Sequence, residues 1–225
     1  MPPSRSTGAR PRAVVFDMDG TLVDSAPSMT RALNEMAQRR GIDGVDVAAV
    51  RRWVSLGGEV MLRGALGETV ELPADLDELR GILRAQTADP ADLYHGAVST
   101  LAILRDNGYR VGICTNKRED IAVPYAAGLG ITEYLDAIVG GADGRSLKPD
   151  PELAHLTLAR LGARACEAVF VGDSEIDADT AAAAGIPFVL VTFGYPHGDL
   201  CAIRADVRVD HLREVLSAVS ELTSS

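Results

Sequence analysis

The sequence predicts an α/β fold, a parallel sheet covered by helices on both faces, with a block of helices inserted after its first strand. Three observations carry this prediction. Short apolar, β-branched runs recur along the chain and alternate with helical patterns that stop at glycine. The stretch from about 24 to 94 reads as helices with no strand between them. Polar residues crowd directly behind the apolar runs, where open α/β sheets bind their ligands.

Residues 12–16, Arg-Ala-Val-Val-Phe, form the first strand and stop abruptly at Asp17, as a buried strand does when it reaches a polar loop. Asp24-Ser25 can cap a helix with Pro27 in its early turn that runs towards Gly41. Asp46 can cap the next helix, which passes through Arg51 and Trp53. Gly57-Gly58 interrupts, 59–66 resumes, and 73–88 makes a further amphipathic helix. Trp53 reads as part of the core of this block, and Glu68, Glu71, Asp75, Asp77 and Glu78 read as a solvated face. A helix over 97–107 then leads to a strand at 109–114, a helix over 118–128 and a strand at 137–139. A helix over 150–162, a strand at 168–171, an alanine-rich helix over 175–185 and a strand at 187–192 follow. The domain expectation is an α/β core of residues 11–23 and 95–225, a helical cap domain of 24–94, and a flexible tail of 1–10.

The 225 residues suffice for one core with a smaller insertion, and 47% apolar against 24% charged is an ordinary globular balance. A formal net charge of −10 repels nucleic acid and anionic membranes, so neither is expected as a partner. The chain is expected to be a monomer or homodimer. Three widely spaced cysteines, Cys114, Cys166 and Cys201, form no zinc pattern or disulfide framework. Residues 1–10 contain no apolar signal region, and no run of 18 apolar residues occurs, so the expected location is cytoplasmic.

The candidate chemistry sits at four strand ends: Asp17-Met18-Asp19-Gly20-Thr21, Thr115-Asn116-Lys117, Lys148-Pro149-Asp150, and Gly172-Asp173-Ser174-Glu175-Ile176-Asp177. Two acids at i and i+2 can divide the work, one as nucleophile and one as proton shuttle. Asp173 adds the hard oxygen ligation that Mg²⁺ needs, and three acids together call for a divalent cation. Thr115 and nearby N–H groups can hold a phosphoryl oxygen, Lys148 can neutralise the transferring group, and Gly20 lets the backbone approach it. Taken singly these residues are ordinary: solvated carboxylates, a turn, a helix cap. Their joint appearance behind successive strands is what points to phosphoryl transfer.

FDMDGTLVDS (16–25), ICTNK (113–117), LKPDP (147–151) and VGDSEIDAD (171–179) resemble, in order and spacing, the four motifs of the haloacid dehalogenase-like hydrolases. The resemblance implies a Rossmann-like core with a cap, and an aspartyl-phosphate mechanism supported by Mg²⁺. By position it makes Asp17 the nucleophile and Asp19 the general acid and then base. Thr115 and Asn116 become the phosphoryl-binding residues, and Lys148 the lysine that steadies nucleophile and phosphate. Asp173 becomes the metal carboxylate, beside the Asp17 side chain and the Asp19 carbonyl. Asp177 supports either the metal site or Lys148, with Ser174 beside it. The acid at position 19 favours phosphate esters over the dehalogenase branch.

Within the superfamily RRWVSLGGEVMLRGALG (51–67), AGIPFVLVTFGY (184–195) and ADVRVDHLREV (205–215) look like phosphoglycolate phosphatases, which makes 2-phosphoglycolate the expected substrate. His95-Gly96 departs from the Pro-Gly of many relatives, and the loop 140–150 is also unusual. The Leu56-Gly57-Gly58 turn is a candidate substrate-reading loop, and Arg63 or Arg52 a candidate partner for a substrate carboxylate. His95 and His197 have no required role. The alternatives are a β-phosphoglucomutase-like phosphosugar mutase, a broad phosphosugar or nucleotide phosphatase, and, outside enzymes, a signalling module phosphorylated on aspartate.

Overall fold

β1 (Ala13–Phe16) is buried at every position, and such a strand needs apolar layers on both faces, which the centre of a parallel sheet supplies. The structure, a computed structural model, describes residues 12–223, and the tail expected over 1–10 lies outside them. β1 pairs in parallel with β2 (Arg110–Arg118) on one side and β4 (Ala168–Gly172) on the other. β3 (Ala137–Gly141) extends the sheet beyond β2, and β5 (Phe188–Val191) and β6 (Val207–Val209) extend it beyond β4. The sheet has six parallel strands in the order β3-β2-β1-β4-β5-β6. The chain builds outward from β1 in one direction and from β4 in the other, so the crevice opens over the carboxyl ends of β1 and β4.

Alternating side chains divide the interior into two layers. Val14, Phe16, Ile113 and Val171 face α5 (Ala97–Asp106), α6 (Glu119–Gly128) and α9 (Val215–Thr223). Val15, Cys114, Phe170 and Leu190 face α7 (Glu152–Leu161) and α8 (Glu175–Ala184). All five expected strands form. β2 runs on to Arg118 instead of stopping at 114, with a register shift against β3 between Cys114 and Arg118. Thr115, Asn116 and Lys117 therefore stand on an extended strand end, and α6 begins at Glu119. β6 and α9 were not expected as elements. β6 has only three residues, partly exposed, and lacks the apolar run that marks the other strands.

The inserted block is α1 (Ala26–Arg39), α2 (Val47–Arg51), α3 (Gly58–Leu66) and α4 (Ala74–Ala85), packed around Leu33, Met36, Leu62 and Leu79. The Asp46 carboxylate caps α2 by accepting from the Ala49 N–H at 2.6 Å. Trp53 packs on this core and on Gly64, where an added Cβ would lie 2.7 Å from the indole. One residue of the expected solvated face is placed otherwise. Asp75 is buried and accepts from the Arg40 guanidinium (2.9 Å at its second oxygen) and from the Glu71 N–H at 2.7 Å. The Arg40 bond, ahead of the others, holds this carboxyl below its usual range, so Asp75 ties α4 to the end of α1. The chain passes between sheet and cap through two paired segments: Val23 bridges Leu93, the Asp24 N–H donates to the Asp92 carbonyl at 2.8 Å, and the Tyr94 N–H to the Leu22 carbonyl at 3.0 Å.

Candidate active site

Asp17 leaves β1 with its N–H held by the Val171 carbonyl of β4 at 2.9 Å, which aims its side chain into the crevice. Lys148, reaching in from the loop before α7, lies with Nζ 2.9 Å from Asp17 Oδ1 and donates to Asp177 Oδ1 at 2.6 Å. The contact with Asp17 is an ion pair without hydrogen-bond geometry, so Asp17 Oδ1 is buried and has no hydrogen-bond partner. Asp177, one turn into α8, accepts at its other oxygen from the Asp173 and Ser174 N–H groups, each at 3.2 Å, and from the Ser174 hydroxyl at 2.8 Å. It thereby caps its own helix and anchors Lys148. Asp173 accepts from the Thr21 hydroxyl at 3.0 Å and from the Tyr195 N–H at 2.6 Å. Asp19 is held by Lys117, whose Nζ donates to Oδ1 at 2.6 Å while sitting 5.3 Å from the centre of the Tyr125 ring.

Asp17, Asp173 and Asp177 bring carboxylate oxygens within 4.8 Å of one another, all buried. Three carboxylates against the one ammonium of Lys148 leave a formal excess of two negative charges, the complement of one divalent cation. Burial first, with Asp177 and Asp19 adding to it against the pull of Lys148, pushes the Asp17 carboxyl up to about 7. Burial and the same neighbours raise Asp173 well above the usual carboxylate range. Burial works against the charge on Lys148, but Asp17 and Asp177 outweigh it and keep the ammonium charged. Two glycines make the room. A Cβ on Gly20, which has φ +86°, would stand 2.3 Å from Asp173 Oδ2, and one on Gly194 would stand 2.2 Å from Asp173 Cβ. The buried oxygen donors of Asp17, Asp173 and Asp177 are of the kind that suits a hard divalent cation such as Mg²⁺.

The space beside the cluster has two parts that share part of their lining. A narrow one of about 10 Å³ is lined by Asp17, Thr115 and Lys148. A wider cavity of about 240 Å³ opens towards the cap, and Asp19, Val54, Asn116 and Lys117 line both. The larger volume falls below the usual range for drug-sized ligands, so the site suits a small molecule. The cap side is apolar, with Met29, Val54, Met61, Leu76 and Leu79, and among the described residues its one charged member is Arg80 of α4.

The structure gathers Asp17, Asp19, Gly20, Thr115, Asn116, Lys148, Asp173, Ser174 and Asp177 at one sheet edge. The Asn116 carboxamide clamps the main chain of Lys148, accepting from its N–H at 2.7 Å and donating to its carbonyl at 3.0 Å. Gly57 and Gly58 line the wider cavity. Arg63 does not: it is exposed and paired with Glu59 at 2.9 Å. Arg52 is also exposed, as is His95, and His197 sits beside Glu175. Sequence reasoning missed roles for Thr21, Lys117, Arg80, Gly194 and Tyr195. Gly194-Tyr195 lies directly behind β5 on the same edge, a signal that the strand-end rule could have caught.

The site is thus a crevice at the edge of a parallel sheet where three buried carboxylates that could hold a metal ion meet a charged lysine. The chain belongs to the haloacid dehalogenase-like hydrolases: that family's model matches residues 11–185. It is 36% identical over 215 residues to a phosphoglycolate phosphatase of Yersinia pestis, covering 92% of this chain and 93% of the relative. Its fold matches the crystal structure of a predicted phosphoglycolate phosphatase from Haemophilus somnus 129pt, with a TM-score of 0.80 at 23% identity over 93% of this chain and 98% of the other. It also matches β-phosphoglucomutase from Clostridium difficile, with a TM-score of 0.76 at 19% identity over 95% and 97%. The chain is accordingly a phosphoric monoester hydrolase similar to phosphoglycolate phosphatases, and the signalling-module alternative is set aside. Among the described residues no helix is long and apolar enough to cross a membrane.

Proposed function

We propose that the protein hydrolyses 2-phosphoglycolate, a small phosphorylated metabolite of the cytoplasm, through an aspartyl-phosphate on Asp17 with Mg²⁺ as cofactor. The observation that carries the reading is the buried cluster of Asp17, Asp173 and Asp177 around a single Lys148, whose formal excess of two negative charges is the complement of one divalent cation. The named activity of the Yersinia pestis relative supports the choice of substrate.

An Asp17 carboxylate oxygen attacks phosphorus as the ester P–O bond breaks, and the departing oxygen takes a proton from Asp19. Asp19 then takes a proton from water, the water oxygen attacks phosphorus, and the Asp17–phosphorus bond breaks to release phosphate. When bound, Mg²⁺ would draw charge from the phosphoryl oxygens, held by Asp17, Asp173 and the Asp19 carbonyl. Lys148 offsets charge on the transferring group, and Thr115 with the adjoining main chain holds a phosphoryl oxygen. Lys117 pairs with Asp19 at rest and must yield as the ester enters. Arg80 offers the substrate carboxylate a guanidinium from the cap.

The test is kcat/KM with Mg²⁺ across 2-phosphoglycolate, p-nitrophenyl phosphate, a sugar phosphate and a nucleoside monophosphate. Phosphoglycolate should lead. A lead by the sugar phosphate, or isomerisation of glucose 1-phosphate without phosphate release, would replace this reading with one of the alternatives.

A further inference from the structure

The tripeptide behind β5, Phe193-Gly194-Tyr195, touches the candidate metal site and both hinge segments at once. Phe193 packs its ring 4.7 Å, centre to centre, from Tyr94 on the returning hinge segment. Gly194 fits against Asp173 and the Gly20 carbonyl, where a Cβ would come within 2.5 Å of that oxygen. The Tyr195 N–H donates to Asp173 Oδ2 at 2.6 Å. Its phenol donates to the Asp24 carboxylate on the outgoing hinge segment and accepts from the Ala26 N–H at 3.4 Å, at the start of α1. Asp24 is also held by Arg51 of α2 at 2.8 Å, and that guanidinium lies 5.7 Å from the centre of the Tyr195 ring. Tyr195 follows a core strand, yet it is buried in the apolar cluster of the cap. Burial first, and then Asp24, keep its phenol protonated and therefore a donor.

We propose that Tyr195 is a positioning residue that couples occupation of the metal site to the setting of the cap, with its main chain orienting Asp173 and its phenol holding the hinge at Asp24. A carboxylate that turns to meet a cation pulls on the Tyr195 main chain. The phenol carries that shift to Asp24, from which α1 departs. By reciprocity, a cap set by substrate favours the cation-binding pose of Asp173. The inference rests on reading Asp173 as a metal ligand.

Trp53, the single tryptophan of the chain, lies in the cap and reports its setting by fluorescence. Isothermal calorimetry reports Mg²⁺ binding separately. In the wild type the Trp53 emission should change with the same Mg²⁺ midpoint that calorimetry gives. Tyr195→Phe keeps the ring and the Asp173 contact, so its Mg²⁺ affinity should stay within about threefold of wild type while the Trp53 response falls to less than about half. Asp24→Ala should lose the response in the same way, whereas Asp24→Asn, whose amide oxygen still accepts from the phenol, should keep it. A full response in Tyr195→Phe, equal loss in Asp24→Asn, or a wild type that binds Mg²⁺ with no change in Trp53 overturns the coupling. Absence of calorimetric Mg²⁺ binding by the wild type removes the metal reading beneath it.

Discussion

The sheet edge and the cap obey opposite rules. At the edge, Asp17, Lys148, Asp173 and Asp177 are almost wholly buried, and with all of them ionised they carry an excess of two negative charges that one divalent cation would balance. On the cap side of the same cavity, Met29, Met61, Leu76 and Leu79 supply apolar wall, and one guanidinium, that of Arg80, breaks it. A buried excess of like charge opposes folding, so an edge of this kind has a chemical purpose. An apolar wall packs well whatever it covers. In the proposed function the edge carries the reaction and the cap the fit, and substitutions in the two regions should divide between kcat and selectivity.

The sharpest way to break that division is to start at the edge. Asp17→Asn removes the proposed nucleophile while keeping the shape, and kcat should fall at least about 10⁴-fold on every ester, measured by phosphate release. Asp19→Asn should lower kcat by about 10²–10³-fold, again for all substrates alike. A loss confined to one substrate in either variant would mean that the edge also reads the leaving group.

Metal removal probes the charge excess directly. Without a cation the Asp17 carboxyl sits at about 7, above its ordinary 3.8, so the folded chain holds this proton more tightly than the unfolded one. The metal-free protein should then lose stability as pH rises through about 4 to 7, where the unfolded chain ionises more easily. Mg²⁺ favours the ionised form, so its stabilising effect should grow over the same window and level off above it. Melting temperatures with Mg²⁺ and with EDTA at pH 5 and pH 7.5 check this, and a Mg²⁺ increment that shrinks with pH contradicts it.

The edge was legible in the sequence because it interrupts a pattern. Apolar runs that stop on Asp17, Thr115 and Asp173 announce strand ends with polar freight, and strand ends of one parallel sheet must meet. What stayed hidden depended on contacts between distant segments. Lys117 stands in a motif that sequence reading quoted, but its partner Asp19 lies 98 positions away. Tyr195 reaches Asp173 over 22 positions and Asp24 over 171. In the cap, amphipathic periodicity shows that α3 and α4 have apolar faces but not how they dock. It could not distinguish Arg63, which faces water, from Arg80, which faces the cavity.

That last distinction yields the two cap predictions. Arg80 has an exposed i,i+3 partner in Asp77, 3.0 Å away, a weak tie that a substrate carboxylate can displace. Arg80→Ala should cut the preference for phosphoglycolate over p-nitrophenyl phosphate by about tenfold to a hundredfold, the worth of a charge-assisted hydrogen bond. Its effect on p-nitrophenyl phosphate alone should be small, and equal losses on both esters would place Arg80 outside substrate reading.

Arg63→Ala should do the least. Its guanidinium bonds Glu59 one turn away on the exposed face of α3, at 55% side-chain exposure, and screening by water leaves such pairs worth about 0.5 kcal/mol or less. Both the phosphoglycolate preference and the melting temperature should stay close to wild type, with kcat/KM within about twofold. A selectivity loss here comparable to that of Arg80→Ala would require α3 to turn by a substantial part of its circumference when substrate binds. Met61 and Leu62 are packed in the cap core on that same helix and would have to leave it for Arg63 to reach the cavity. A negligible effect of Arg63→Ala beside a strong one of Arg80→Ala therefore also tests whether the cap moves as one packed body.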